Sequence, residues 1–409
     1  MALNYADHPL KVLYAKGQFL YEENGNKVLD CINNVSHIGH CHPYFVSQLN
    51  SQNQRLLTNS RFVYDELMSC THKLLNRLPK ELCNVTFVNS GSEANDLAMQ
   101  MAAFHTNKQR TICFDGAYHG ITGKCMEVSP YKWNKNYKKP DHITIAEVPC
   151  FYRGKFRDSE NPVEDYINYF KGIITEDTST FICEYMQSCG GQIIPPKKFY
   201  QELYKYLRAK GVVCIGDEVQ TGFARLGENY WAFEYYGVVP DILTIGKAMG
   251  NGCPVAAVIC TKEIAESFKQ RDMEFFSTFG GNPLAMAASS AVMDVIEWQK
   301  LQENARETGA YLKKRLVEKI LPFKNVGDIR GVGLFQGIDI VKSKESREEN
   351  GELAKKIIMR MRDKLVLISR DGPLHNVLKI KPPIVFNKEN VDTLIEKLKE
   401  TLEEIEQIE

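Results

Sequence analysis

Two short apolar runs in this chain each end on a group able to do acid–base or carbonyl chemistry. Val212-Val213-Cys214-Ile215-Gly216 leads into the carboxylates Asp217 and Glu218, and Ile242-Leu243-Thr244-Ile245-Gly246 leads into Lys247. Apolar runs of about five residues bounded by Gly and Pro read as buried parallel strands, and open α/β sheets bind ligands beyond the carboxyl ends of their strands. An acid and an amine are thus delivered to one edge of one sheet. A carboxylate against a pyridine nitrogen keeps that ring protonated and electron-withdrawing, and an amine beside the ring's aldehyde condenses with it. Both are ways a protein tunes pyridoxal phosphate. A buried ion pair explains either residue taken alone.

Other residues gather on the same kind of strand end. After the strand Val85-Thr86-Phe87-Val88 comes Asn89-Ser90-Gly91-Ser92-Glu93-Ala94-Asn95, opening an amphipathic helix that runs to about His105. Gly91 and Ser92 sit where a helix start offers free N–H groups and a positive dipole end to a phosphate; in isolation the pattern is only a capping box. The strand Thr111–Phe114 leads to Tyr118, His119 and Gly120. The Tyr118 ring can stack on a flat pyridine or pack in the core. Phe181-Ile182-Cys183 delivers Glu184, and the helix 197–210 leads back to the first run, a right-handed α/β alternation. Arg61 reads either as an anion ligand or as a solvated surface arginine.

The bulk numbers exclude several classes. Lys plus Arg and Asp plus Glu both count 51, so the net charge is zero and neither nucleic acid nor an anionic membrane is expected as a partner. No apolar segment approaches the roughly 20 residues of a membrane span, and the first fifteen residues hold Asp7 and no arginine, so no targeting peptide is visible. The 12 cysteines lack any C-x-x-C spacing and several fall inside apolar runs, the usage of a reducing compartment, cytoplasm or mitochondrial matrix, rather than of a secreted protein. His37, His40, Cys41 and His42 could suggest zinc, but structural zinc draws its ligand pairs from two elements and no second cluster exists, so no metal is expected.

Three segments carry a family resemblance: Asp217 to Arg225 (DEVQTGFAR), Pro240 to Lys247 (PDILTIGK) and Ser277 to Pro283 (STFGGNP). Together they resemble the signature of class III pyridoxal-phosphate aminotransferases of fold type I, and the likeness covers nearly the whole chain. It implies an α/β fold: a large cofactor-binding domain with a mostly parallel sheet flanked by helices (44–283), and a smaller α+β domain (284–409) that the N-terminal segment (1–43) joins. It also implies a homodimer with shared active sites, or a dimer of such dimers. Lys247 and Asp217 are then catalytic. Gly91, Ser92, Tyr118, His119, Glu184, Val219, Gln220 and Thr278 join them as cofactor contacts, with Gln220 on the ring hydroxyl and Thr278 crossing to the partner's cofactor phosphate. The Arg61 loop would reach the partner's site, and the Gly39–Pro43 turn would sit at the site mouth. Family members carry further N-terminal helical turns, whereas this sequence starts almost directly on a hairpin, Gln18–Tyr21 and Lys27–Asp30. A reduced lid, or a start inside a longer chain, is expected.

The resemblance also bears on the reaction. Aminotransferases of this class commonly grip the substrate α-carboxylate with an arginine three residues before a Pro-Pro pair, a bidentate fork on a carboxylate. Here that position is Lys379, a point charge suited to phosphate. Cys31–Asn34, Met186–Pro196, Asp371-Gly372-Pro373 and Tyr152–Lys155 resemble the phospho-lyase branch, which acts on phosphoethanolamine or phosphohydroxylysine. The expected reaction is elimination of phosphate from a small phosphorylated amine, phosphoethanolamine yielding acetaldehyde, ammonia and phosphate. Arg61, Arg153, Lys155 and Lys379 are candidates for the leaving phosphate. The alternatives are phosphohydroxylysine as substrate, or an alanine:glyoxylate or ω-amino aminotransferase. Beyond Pro283, helices, glycine-separated strands between Val326 and Asp339, and a solvated loop at 342–350 are expected.

Overall fold

The computed structural model describes every residue except 1–4, 6–7, 273 and 409. Strands β1 (Val12–Lys16), β2 (Phe19–Glu22) and β3 (Lys27–Asp30) form an antiparallel meander at the N-terminus. Then follow β4 (Asn84–Val88), β5 (Arg110–Phe114), β6 (Ile143–Ala146), β7 (Thr178–Cys183), β8 (Val213–Asp217), β9 (Ile242–Ile245) and β10 (Ala256–Cys260). These seven make one sheet in the order β4-β10-β9-β8-β7-β5-β6, parallel throughout except for β10, which runs against both neighbours.

Every residue of β7, β8, β9 and β10 is buried, so their sequences lack the apolar–polar alternation of a half-exposed strand and carry no charge before their ends, as expected for a sheet covered on both faces. The period of two survives in what each residue faces. Ile182, Val213, Ile215 and Ile242 pack with Leu97 and Met101 of the helix Gly91–Thr106. Phe181, Cys183, Cys214, Leu243 and Ile245 point to the opposite core, rich in aromatics such as Phe170, Phe199 and Tyr204.

The remaining strands are β11 (Val326–Val332), β12 (Phe335–Ile340), β13 (Val366–Leu367), β14 (Ser369–Asp371) and β15 (Val377–Ile380). Four of them form a second sheet, β11-β12-β15-β14, and β13 pairs in parallel with β3, so residues near the two ends of the chain share a third sheet. Of the three glycines expected between the paired strands, only Gly333 lies in the turn, at φ +53°. Gly331 and Gly337 fall inside β11 and β12, where a Cβ would run into Gln336 and Gln192 respectively. The 342–350 segment is less free than its charge suggests, since Arg347 donates to the carbonyl of Tyr152 at 3.0 Å.

The sheets are stitched together by Arg225. Fully buried, its guanidinium donates to the carbonyls of Pro382 (2.7 Å), Leu334 (3.2 Å) and Asn34 (3.4 Å) and lies 3.1 Å from His37 Nδ1. Burial pushes its pKa down to about 9.

Candidate active site

Register fixes the site's first two groups. Asp217 pairs with Thr244 and Cys183 with Gly216, so Asp217 ends β8, Glu184 follows the end of β7, and Lys247 stands two residues past β9 at the same sheet edge. Lys247 has φ +37°, a left-handed backbone that is uncommon for a side-chain-bearing residue and concentrates at functional sites. The turn after it, Lys247–Gly250, leads to Asn251, which accepts from the Ile38 N–H (2.9 Å) and donates to the Gly39 carbonyl (3.1 Å). The Gly39–Pro43 turn therefore docks beside the Lys247 turn.

Asp217 is buried and held from three directions. His119 Nδ1 lies 2.7 Å from Oδ2, Asn95 Nδ2 donates to Oδ2 at 2.7 Å, and the Val219 N–H donates to Oδ1 at 3.0 Å. Asn95 is itself fixed, accepting from the Thr244 hydroxyl (2.6 Å) and donating to the His119 carbonyl (2.9 Å). Sequence reading passed over Asn95, although its position four residues after Gly91 puts both on one helix face. Glu218, by contrast, turns away: it accepts from the Phe233 N–H (2.8 Å) and the Thr221 hydroxyl (2.7 Å), and burial raises its pKa to about 7.

Above this carboxylate lies the start of the helix Gly91–Thr106. Ser90, the N-cap, accepts from the Glu93 N–H (3.1 Å), and Glu93 reaches back one residue past the cap to accept from the Asn89 N–H (2.9 Å), a variant of the capping box. It leaves the N–H groups of Gly91 and Ser92, which have no acceptor within the helix. The surroundings are tight backbone. A Cβ on Gly91 would sit 3.0 Å from the Val219 methyls, one on Gly246 would sit 3.5 Å from the Gly91 nitrogen, and one on Gly120 would fall 2.4 Å from Ser92 Oγ. Gly120 also has φ +137°. Gly91, Ser92, Gly120, Val219 and Gly246 thus pack as one patch of close backbone around a helix start, in the neighbourhood of Asp217. We predict that Gly120→Ala, which displaces Ser92, weakens retention of pyridoxal phosphate at least about tenfold while the fold persists, measured by cofactor loss on dialysis.

On the other side of Asp217, buried Glu184 accepts from the Ser188 N–H (3.3 Å), and burial, followed by the charge of Asp217, raises its pKa. Half-buried Tyr118 has its pKa raised by burial first and by the nearby charges of Asp217 and Glu184 in addition. The Gly372 N–H donates to the Cys189 carbonyl at 2.9 Å, joining the Glu184 loop to the end of β14. There Asp371 accepts from the Tyr131 hydroxyl (3.2 Å) and forms an ion pair with Lys379 at 2.6 Å. Two residues on is Lys381, with no exposed surface, whose Nζ reaches Gln220 Oε1 at 3.5 Å; Asn34 donates to the same oxygen. Burial and the neighbouring Lys379 push the Lys381 pKa down to about 7. Sequence reading singled out Lys379 and missed Lys381. The signal was the spacing Lys379-Ile380-Lys381, which puts both lysines on one side of an extended chain.

Other expected residues lie elsewhere. Arg153 commits its guanidinium to Asp339 (3.3 Å from Nε) and to the Arg347 carbonyl. Lys155 lies over the rings of Phe156 and Tyr169. Arg61 is exposed, stacked on Phe276 at 4.1 Å and 3.4 Å from Glu274; Thr278 is exposed near it in sequence to Phe279. The histidines diverge. His37 meets the Phe223 carbonyl, His40 meets Asp30 at 2.7 Å, and His42 meets Gln299 at 2.9 Å. Among the described residues no cluster of His, Cys, Asp and Glu is placed to hold a metal, and no helix is long and apolar enough to cross a membrane.

Comparison with known proteins agrees with this geometry. The family model "Aminotransferase class-III" matches residues 1–402. A Drosophila melanogaster protein named alanine–glyoxylate aminotransferase 2-like is 44% identical over 413 residues, covering 98% of this chain and 84% of that one. A Caenorhabditis elegans protein named ethanolamine-phosphate phospho-lyase homolog 1 is 42% identical over 408 residues, covering 95% and 87%. Among solved structures, a phospholyase from Arthrobacter in complex with phosphoethanolamine superposes with a TM-score of 0.92 at 33% identity, covering 98% and 96%. With an acid and an amine at one sheet edge and a glycine-rich helix start packed beside them, the chain belongs to the class-III aminotransferase family, of fold type I, and takes pyridoxal 5′-phosphate as its cofactor.

Proposed function

We propose that this protein is a phospho-lyase that eliminates phosphate from a phosphorylated primary amine, with phosphoethanolamine as substrate and acetaldehyde, ammonia and phosphate as products. The observation that carries this reading is the pair Lys379 and Lys381 beside Glu184 and Gln220, two amines where a carboxylate-reading site would present a guanidinium fork. The likeness to proteins named phospho-lyases supports it.

Bound pyridoxal phosphate supplies an electron sink for the carbon that bears the substrate nitrogen. The chain's own residues do the rest. Gly91 and Ser92 would hold the cofactor phosphate through backbone N–H groups, and Asp217, fixed by His119 and Asn95, would hold the proton on the ring nitrogen. Tyr118 would cover the ring, Gln220 would meet its hydroxyl, and Glu184 and Val219 would complete the walls. Lys247 removes the proton from the amine-bearing carbon. Lys379, its charge fixed by Asp371, draws the substrate phosphate to the adjacent carbon's side of the site.

Thr278 and Arg61 belong to a face that carries Phe62, Val63 and Phe279, exposed by 63%, 89% and 70%. A face this apolar is the mark of an interface. In the homodimer we propose, each chain lends Thr278 to the other's cofactor phosphate and Arg61 to the other's site mouth. The free thiols, most of them buried, fit the cytoplasm or the mitochondrial matrix.

The test is to incubate the holoenzyme separately with phosphoethanolamine and phosphohydroxylysine and assay inorganic phosphate and aldehyde. Phosphate and acetaldehyde in equal amounts from phosphoethanolamine are expected. Preference for phosphohydroxylysine would move the substrate within the lyases. Amino transfer to glyoxylate or pyruvate without phosphate release would overturn the lyase reading in favour of the reaction that the Drosophila relative's name describes.

A further inference from the structure

We infer that Lys381 is the proton donor to the departing phosphate. The inference rests on the lyase reading above and adds a group that this reaction needs. When the C–O bond of a phosphate monoester dianion breaks with its electron pair on oxygen, the product without a proton is a trianion, which is not stable near neutral pH. A general acid at that oxygen is therefore required. Lys247 is occupied with the carbon-bound proton.

The charged groups around the substrate side come from separate elements. Lys379, on β15, is paired at 2.6 Å with Asp371, the last residue of β14, and so keeps its positive charge. Glu184 and Cys189 face the two lysines from the loop after β7. Lys381 alone of this group has no carboxylate within ion-pair distance among the described residues. Its one hydrogen-bond partner is the long contact to Gln220, and its Nζ lies 5.0 Å from the centre of the Phe335 ring. Its backbone is pinned by its N–H to the Cys31 carbonyl at 2.8 Å. A lysine that is buried, anchored and without an ion-pair partner is a high-cost arrangement for a structural role, because an ammonium with no carboxylate in contact loses its hydration. A bound phosphate dianion supplies the missing partner. Its pKa, lowered to about 7 by burial and by Lys379, leaves a large share of the amine neutral in the empty site, so it takes up a proton as phosphate arrives and returns it as phosphate leaves.

The step balances. The C–H bond on the amine-bearing carbon breaks and its proton passes to Lys247 Nζ. A carbon–carbon double bond forms to the neighbouring carbon, and the C–O bond there breaks with its pair on oxygen. The Lys381 proton moves to that oxygen, and phosphate departs as the hydrogen phosphate dianion. No oxidant or reductant takes part.

The experiment compares wild-type holoenzyme with Lys381→Met and Lys381→Arg. At saturating phosphoethanolamine in deuterated buffer, phosphate release is measured alongside total C–H cleavage, read as deuterium exchange plus elimination. Lys381→Met is expected to slow phosphate release about 100-fold or more while C–H cleavage falls by less than about threefold. Lys381→Arg, which keeps the charge but cannot give up a proton near neutrality, is expected to show the same split, and it stands in if the methionine variant does not fold. Wild-type phosphate release in either variant, or an equal fall in both rates, would overturn the proposal. A second readout needs no turnover. Calorimetric binding of inorganic phosphate at pH 8, in two buffers of different ionisation enthalpy, is expected to show uptake of about one proton by wild type and none by Lys381→Met. Equal uptake by both would remove Lys381 from the phosphate subsite. If wild type releases no phosphate from either amine but shows this uptake, the lyase reading fails while Lys381 stands as a phosphate-linked base.

Discussion

Lys247→Ala is expected to retain the fold and bind pyridoxal phosphate without a covalent link, and to lose turnover by at least about 10⁴-fold. The substitution removes the only amine at the end of β9, and with it both covalent attachment of the cofactor and the base for the carbon-bound proton. It leaves the backbone patch of Gly91, Ser92 and Gly120 untouched, so cofactor retention is expected to weaken far less than activity. Two measurements check this: the mass of borohydride-treated protein, which shows the cofactor adduct in wild type alone, and phosphate release from phosphoethanolamine. An adduct on Lys247→Ala, or turnover within tenfold of wild type, would move the catalytic amine elsewhere.

Asp217→Asn comes second, with an expected loss of about 10²- to 10⁴-fold in turnover and little change in cofactor affinity. The side chain keeps its shape among His119, Asn95 and the Val219 N–H, so the loss isolates charge from packing. A cofactor analogue methylated on the ring nitrogen carries the positive charge permanently. It is expected to restore part of the Asp217→Asn activity while doing nothing for Lys247→Ala. Failure of that rescue would mean that Asp217 orients its neighbours and does not hold the ring proton.

The sequence made the catalytic edge legible for a physical reason. A strand buried on both faces carries almost no charge along its length, so a carboxylate or an amine at its end stands out, as Asp217, Glu184 and Lys247 do. What it hid was pairing at long separation. Arg153 and Asp339 are 186 residues apart, and a basic residue in a loop gives no sign that it is already neutralised. Asn95 and Lys381 were hidden differently: each lies within a segment already singled out, but its role depends on Thr244, Asp217 or Gln220 arriving from elsewhere. Gly331 and Gly337 look like turn residues in sequence because the side chains that exclude a Cβ there, Gln336 and Gln192, are visible only in three dimensions.

Arg225 limits how this enzyme can open. Its guanidinium holds carbonyls that follow β3, precede β12 and follow β15, so a hinge separating the large sheet from the other two would strip a buried cation of its partners at once. Each broken hydrogen bond to a charged group costs on the order of 1.5–3 kcal/mol, and a guanidinium left dry and unpaired costs more. Substrate traffic therefore passes through loop and side-chain gates around a rigid frame. Solvent viscosity and loop substitutions, rather than interdomain linkers, should govern how fast products escape.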